Sequence, residues 1–320
     1  MHEKGMGGKQ DMAFGGMIDA DVKAVLERQR YKIVGRHSAV KLCTWTKKSI
    51  MGKGVCYKQQ FYGVESHRCL QMTPAVSWCT QKCIFCWRNV EQTIGSDLPD
   101  YDEPGDIIDG AIAAQKKLLT GYGGVLEMVD AKKHKEAQNP NQAAVSLSGE
   151  PTLYPEIGSL LEEFKKKNFT TFLVTNGTLP ERLAGLQTLP TQLYLSMVAP
   201  DEKTYIKVCN PASVKNWEKI QETIKLFPSL DTRKAVRITA VKDLNMFSPD
   251  KYAKMIEVAE PDYVEVKAYM FIGGSRMRLS LENMPSFPDI WEFAEGISKN
   301  TGYQIKDHKR DSRVVLLSKN

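Results

Sequence analysis

Six of the seven cysteines fall within the 44 residues from Cys43 to Cys86, and only Cys209 lies outside. The count is odd, and the start (MHEKGMGGKQDMAFGGM) carries no apolar core ahead of a small-residue cleavage site. Structural disulfides therefore explain the cluster poorly, and thiolate ligation explains it better. Cys79, Cys83 and Cys86 form C-x3-C-x2-C on one loop. A closed zinc site needs a fourth ligand, commonly from a second C-x2-C pair, and none accompanies this one. A [4Fe–4S] cluster held by three thiolates keeps one iron open, and an open iron can chelate a small molecule. Phe85, just before the last cysteine, suits the lining for that molecule. Zinc remains the alternative.

From about residue 72 short apolar runs alternate with amphipathic ones. Expected strands are Met72–Trp78, Ala143–Ser148, Thr171–Thr175, Leu193–Val198, Ala235–Val241 and Tyr263–Met270. Ile157, Leu160, Leu161 and Phe164 repeat at helical spacing, as do Tyr252, Met255, Ile256 and Ala259, the latter with Ser248 expected as N-cap and Pro249 at the first helical position. Repeated βα predicts an α/β fold with a parallel sheet and right-handed crossovers, either a partial barrel or an open doubly wound sheet. No G-x-G-x-x-G follows the first strand, which weighs against dinucleotide binding. Function belongs at the C-terminal strand ends. The cysteine loop stands there, as do Gly149-Glu150, Asn176-Gly177 and Ser196.

Charge divides the chain in the same way. Residues 1–70 hold 13 basic against 6 acidic side chains, although the whole chain carries only +6. Between Arg28 and Val64 nine Lys/Arg meet no acid, with Tyr31, Trp45, Tyr57, Phe61 and Tyr62 interleaved. The segment suits a polyanion, or else a solvated basic face. Three regions result: a floppy tail over 1–18, a basic N-terminal region over 19–70, and a βα region over 71–320. No apolar run reaches the ~18 residues of a membrane span, so a cytoplasmic protein without a membrane partner is expected.

The cysteine loop with an aromatic before its last cysteine, followed by Ser148-Gly149-Glu150-Pro151, resembles the radical S-adenosylmethionine (SAM) enzymes. That likeness implies a partial TIM-like (βα)6 barrel, a [4Fe–4S] cluster on Cys79, Cys83 and Cys86, and SAM on the open iron, cleaved on reduction to a 5′-deoxyadenosyl radical. It implies cofactor contacts from Phe85, Gly149, Glu150, Asn176 and Ser196. The first glycine of the family's glycine–glutamate motif is replaced by Ser148. Residues 28–89, with SLSGEPTLYP (146–155), TTFLVTNG (170–177), TQLYLSM (191–197), VEVKAYM (264–270) and DSRVVLL (311–317), are similar to the archaeal tRNA 4-demethylwyosine synthases. One departure is Met197-Val198, where Leu-Asp is expected after Ser196, which puts any cofactor contact carried by that Asp in question.

The resemblance implies the condensation of N1-methylated guanosine 37 of phenylalanine tRNA with two carbons of pyruvate. The adenosyl radical removes hydrogen from the methyl group, the carbon radical attacks pyruvate C2, and loss of C1 and ring closure follow. It assigns Cys43, Cys56 and Cys69, spaced C-x12-C-x12-C, to an auxiliary [4Fe–4S] cluster that holds pyruvate. Spacing alone leaves buried free thiols, or a zinc site using His67, as alternatives. A pyruvate imine needs a lysine whose pKa is depressed. Lys58, in the Cys-Tyr-Lys element, is favoured; Lys41 and Lys267 are the others, and a solvated surface role stays open for each. Arg28, Arg30, Lys32, Arg36, Lys47, Lys48 and Lys53 are expected to hold tRNA phosphates, with Arg276, Arg278, Lys309 and Arg310 extending the patch. An external electron donor such as ferredoxin or flavodoxin, and a monomer, are expected. The rivals are a radical enzyme with a different RNA or small-molecule substrate, and a zinc-stabilised RNA-binding protein without catalysis.

Overall fold

The computed structural model describes residues 18–122 and 128–319. The tail expected over 1–18 lies outside these apart from Ile18, which is buried. The described chain opens with α1 (Ala20–Arg28) and a hairpin of β1 (Lys32–Val34) and β2 (Ser38–Val40). Two short helices, α2 (Thr44–Ile50) and α3 (Tyr57–Tyr62), lead to β3 (Cys69–Thr73). Next come α4 (Pro104–Leu119), α5 (Ala131–Ala137), β4 (Gln142–Val145), α6 (Ile157–Lys166), β5 (Thr170–Thr175), α7 (Pro180–Ala184) and β6 (Gln192–Ser196). They are followed by α8 (Glu202–Cys209), α9 (Asn216–Leu226), β7 (Arg233–Ala240), α10 (Pro249–Ala259) and β8 (Tyr263–Ala268). Last are α11 (Phe287–Lys299), β9 (Tyr303–Lys309) and β10 (Val314–Lys319).

All ten strands form one sheet in the order β1-β2-β3-β4-β5-β6-β7-β8-β10-β9. The six strands from β3 to β8 are parallel, and an antiparallel hairpin extends each edge. The parallel strands curl enough for residues following β4 and residues of β5, β6, β7 and β8 to line one cavity, so the fold is a partial (βα)6 barrel. The boundary expected at residue 70 cuts through β3, because β1 and β2 pair into the same sheet.

Strand alternation gives the two faces different chemistry. Leu70, Met72, Ala143, Val145, Leu173, Leu193, Leu195, Val236, Ile238, Val264 and Val266 point to the helices and join the core with Ile157, Leu160, Leu161 and Phe164 of α6. The residues between them face the barrel interior and include Cys69, Tyr194, Arg237, Glu265 and Lys267. A polar interior is costly unless its groups are paired, which marks it as built for a purpose.

Two expectations are corrected here. The first strand is Cys69–Thr73 and not Met72–Trp78: Pro74 has no N–H to continue the ladder, and the apolar residues after it are buried in a loop. Ser248 occupies the N-cap position of α10 but makes no side-chain cap, because its backbone is left-handed (φ 50°).

Candidate active site

The loop after β3 is fastened from several sides. Lys82 N–H donates to Cys209 O (3.0 Å) and Ile84 N–H to Val208 O (2.9 Å), tying it to the end of α8. Arg278 donates to the carbonyls of Ile84 (3.1 Å), Cys86 and Arg88 and pairs with Glu91 (2.7 Å). Arg278 is thus a clamp on the cysteine loop and not the surface cation that its charge suggested.

Gly149 docks under that loop. Its φ is +66°, and a Cβ there would stand 1.8 Å from Ala75 O and 2.4 Å from Trp78 O, so only glycine fits. Glu150 is buried and accepts from Thr152 Oγ1 (2.7 Å), Thr175 Oγ1 (2.8 Å) and Asn176 N (2.7 Å). Burial pushes its carboxyl up against the pull of these donors. Asn176 Nδ2 donates to Thr80 Oγ1 (2.8 Å) beside Cys79. The side chains of Glu150 and Asn176 therefore brace the cysteine loop, while Phe85, Gly149 and Ser196 line the cavity that it overhangs.

That cavity measures about 410 Å³ and is lined by Cys79, Cys83 and Cys86 at the strand ends and by Arg237 and Lys267 deeper in the barrel. Burial, with Cys83 and Glu150 nearby, pushes the Cys79 thiol well up, and a hydrogen bond with Cys209, then burial, do the same to Cys83. Arg88 supplies a test of what fits here. Its guanidinium is buried, donates to Tyr31 Oη, stacks on Trp87 at 3.7 Å, and has no carboxylate within ion-pair distance among the described residues. It faces Cys86. A buried cation without a counter-charge beside three thiols fits an anionic three-thiolate cluster. No three cysteine sulfurs among the described residues lie within 4.8 Å of one another, whereas a tetrahedral zinc site brings sulfurs to about 3.8 Å. The donor set fits an iron–sulfur cluster better than zinc.

The second cysteine set is assembled by short polar crosslinks. Cys43 immediately precedes α2, Cys56 immediately precedes α3, and Cys69 begins β3. Thr46 Oγ1 donates to Ser66 O (3.0 Å), Cys56 N–H to Ser66 Oγ (2.9 Å) and Ser66 N–H to Gln59 Oε1 (3.0 Å). The three cysteines and Lys58 line one narrow cavity with Gln142, Ala144 and Phe172. Burial and then Cys43 raise Cys56 to about 11 and Cys69 to about 12. The set brings three sulfur donors to one space, and burial favours their neutral form where no metal is bound. His67 turns to Glu136 (2.8 Å) and not to the sulfurs.

Three lysines have depressed pKa values. Lys58 lies 4.7 Å from the Phe172 ring and 4.6 Å from that of Tyr194, and burial and then Arg237 lower it to about 8. Burial and Arg237 do the same to Lys267, whose Nζ donates to Ser312 O (2.7 Å). Burial and Arg88 lower Lys41 to about 8; it lines neither cavity itself but stands against the Tyr31 and Trp87 rings, which wall the large one. Sequence reasoning missed Arg237, Glu265 and Arg88; the available signal was charge at alternate positions of otherwise apolar strands for the first two, and for Arg88 a basic residue two places after Cys86 in the cysteine loop.

Of the basic arm, Arg28, Arg30 and Lys53 are exposed and Lys32, Lys47 and Lys48 half-buried. Arg36 is already committed: its side chain pairs with Asp100 and Asp102 (2.7 Å to the latter) and so is not free for phosphate. Arg276 and Arg310 are exposed, and Lys309 pairs with Asp311 (3.7 Å).

Comparison with known proteins agrees with this geometry. Residues 74–256 match the radical SAM superfamily, and residues 258–319 match a family described as wyosine base formation. A protein of Pyrococcus horikoshii named S-adenosyl-L-methionine-dependent tRNA 4-demethylwyosine synthase is 55% identical over 302 residues, covering 93% of this chain and 88% of its own. A solved structure of TYW1 with a lysine-pyruvate adduct bound is 40% identical, with a TM-score of 0.86 over 94% of this chain and 96% of that one. The crystal structure of archaeal TYW1 is 35% identical, with a TM-score of 0.79 over the same shares. The chain belongs to the S-adenosyl-L-methionine-dependent tRNA 4-demethylwyosine synthases, enzymes of the radical SAM superfamily.

Proposed function

We propose that the chain joins pyruvate to N1-methylguanosine 37 of phenylalanine tRNA, with Cys79, Cys83 and Cys86 holding one [4Fe–4S] cluster, Cys43, Cys56 and Cys69 holding a second, and Lys58 forming the imine with pyruvate. The observation that carries this reading is the place of Lys58. It shares a cavity with the second cysteine set, burial and then Arg237 depress its pKa to about 8, and it lies against the Tyr194 ring that Arg237 of the large cavity also contacts. The lysine-pyruvate adduct in the 40% identical TYW1 structure supports an imine in this chain.

Held by Cys79, Cys83 and Cys86, a reduced cluster would supply the one electron that cleaves bound SAM to methionine and the 5′-deoxyadenosyl radical, which would take hydrogen from the methyl group of the base. The residues of this chain do the rest. Gly149 lets the backbone approach closely enough to seat the cofactor, Phe85 and Ser196 wall it, and the apolar stems of Trp87 and Ile272 help keep water from the cavity. Neutral Lys58 attacks the 2-oxo carbon and loses water to give the imine. Arg28, Arg30, Lys32, Lys47, Lys48 and Lys53 grip phosphates of the anticodon stem-loop. Seven free cysteines support a reducing, cytoplasmic setting. Among the described residues no helix is long and apolar enough to cross a membrane. Electrons come from a separate donor such as ferredoxin or flavodoxin.

The test is borohydride trapping of reconstituted protein with pyruvate under anaerobic conditions, followed by peptide mass mapping and by nucleoside mass spectrometry of methylated tRNA. The expected adduct is on Lys58. An adduct on Lys41 or Lys267 moves the assignment, and product formation without any adduct refutes the imine.

A further inference from the structure

The floor of the large cavity carries more positive charge than its surroundings neutralise. Arg237 and Lys267 both line it, whereas Glu265, the carboxylate beside them, is fully buried beneath. Both oxygens of Glu265 are occupied: Oε1 accepts from Tyr62 (2.6 Å) and Tyr194 (3.0 Å), and Oε2 from Tyr57 (3.2 Å) and Arg237 Nε (2.8 Å). The tyrosines donate as neutral phenols, whose ordinary ionisation lies at about pH 10. Arg237 spends Nε and one Nη on Glu265 and on Tyr57 Oη (2.7 Å), which fixes its plane. Its second Nη has no partner among the described residues, and the side chain keeps 16% exposure at the cavity that it lines. Lys267 uses one of three donors, on Ser312 O. Apart from the cysteine sets, two cations and one consumed carboxylate face this space, the further acid near Lys267 being Asp311, which pairs with Lys309; the free donors therefore suit an anion.

We propose that Arg237, oriented by Glu265, and Lys267 form the seat for the carboxylate of the 2-oxo acid co-substrate and select 2-oxo acids over neutral 2-oxo compounds. The proposal rests on the pyruvate reading above and adds the residues that recognise C1. Geometry ties the seat to Lys58. The Arg237 guanidinium and the Lys58 ammonium lie 4.4 and 4.6 Å from the centre of the same Tyr194 ring, so they are no farther apart than those two distances together. A carboxylate one bond from an imine carbon reaches about 6 Å from the lysine nitrogen to a guanidinium nitrogen. That reach falls within the bound, and a planar guanidinium with one free donor, backed by an ammonium, matches a carboxylate.

The experiment compares wild type, Arg237→Lys and Lys267→Met as reconstituted holoenzymes, with circular dichroism to verify folding. Arg237→Lys keeps the charge on Glu265 and loses the fork. Lys267→Met leaves the Arg237–Glu265 pair intact. Both should raise the half-saturating pyruvate concentration by about tenfold or more. Both should narrow the preference for pyruvate over pyruvamide by a similar factor while leaving the half-saturating SAM concentration for uncoupled cleavage unchanged. Loss that is equal for pyruvate and pyruvamide indicates a structural role and overturns the seat. A shift in SAM dependence in place of pyruvate dependence assigns the cations to the methionine carboxylate and also overturns it. Wild-type product formation without any 2-oxo acid sinks the pyruvate reading itself, which the variants alone cannot do.

Discussion

Replacing Glu265 by Gln isolates what one buried carboxylate contributes to this barrel. The side chain has no exposure and accepts from Tyr57, Tyr62, Tyr194 and Arg237. Glutamine keeps the shape but turns an NH2 toward groups that are themselves donors, and it leaves Arg237 buried without its counter-charge. Breaking one side of a buried ion pair costs about 3–5 kcal/mol. Unfolding entropy near 2.1 cal/mol/K per residue over 320 residues converts the lower figure to a fall in Tm of about 5 °C. Scanning calorimetry of the anaerobic holoenzyme measures it, and a shift under about 1 °C would refute the argument. Replacing both partners, as Glu265→Leu with Arg237→Met, should cost less than Glu265→Gln alone, because no stranded charge remains.

The same carboxylate fixes a sign for acid stability. Arg237 and the hydrogen bonds hold the Glu265 carboxyl below its ordinary value despite the opposing push of burial. A group with a depressed folded pKa contributes its stability above the unfolded value, about 4.3 for Glu, and loses it as pH falls through the folded value. The gap in Tm between wild type and Glu265→Gln should therefore be constant at neutral pH and narrow as the pH falls below about 4. A gap that widens with acid would reverse the assignment of charge to this residue.

Other perturbations separate the parts of the site. Cys79→Ala, Cys83→Ala or Cys86→Ala should lower iron from about eight to about four atoms per chain and abolish reductive SAM cleavage, so unchanged cleavage removes that set as the site of the first cluster. Cys43→Ala, Cys56→Ala or Cys69→Ala should leave uncoupled cleavage largely intact and stop nucleoside formation; equal loss of both activities in folded protein would make the two sets one site. Gly149→Ala forces a Cβ into Ala75 O and Trp78 O and should cost more than the 1–2 kcal/mol typical of a positive φ, about 3 °C or more in Tm, with weakened SAM binding by equilibrium dialysis. Lys47→Ala and Lys48→Ala should weaken tRNA binding and flatten the slope of log K against log salt by somewhat under one unit per contact, and a slope that stays constant removes them from the interface.

The candidate ligands were legible in the sequence, and their supports were hidden. C-x3-C-x2-C, its position after a strand, and Gly149-Glu150 one βα unit later are local patterns, and each lies where expected. The βα rhythm is local too, because helical spacing in Ile157–Phe164 reports one face of one helix. Strand pairing is not local. The hairpins of β1 with β2 and β9 with β10 add themselves to the edges through partners such as Val40↔Met72 and Leu316↔Glu265, which no periodicity announces. The same limit hid Arg237. Its meaning depends on Glu265 in the next strand and on Tyr57 in α3, 180 residues earlier. The pairing of Arg36 was hidden for the converse reason: its acids arrive from residues 64 and 66 positions away. Pro74 was readable and was outweighed by the apolar run after it, which is apolar because the loop is buried.

One strand accounts for the placement of the two cysteine sets. Cys69 is the first residue of β3, and Cys79 follows its end by six residues. A five-residue strand rising about 3.3 Å per residue separates its two ends by about 13 Å between terminal Cα atoms. On the proposed reading the auxiliary set lies toward the N-terminal ends of the strands and the radical set toward the C-terminal ends. A methyl carbon and a 2-oxo carbon must meet at bonding distance between them. The base has to enter past the cysteine loop, since the opposite approach is filled by Tyr57, Tyr62 and Phe172. Arg237, level with Ser196 at the end of β6, and Lys267, the last but one residue of β8, stand on the side from which the base enters. Charged residues there are unexpected in a barrel built only for packing, and on the proposed reading they face the space where the two carbons meet.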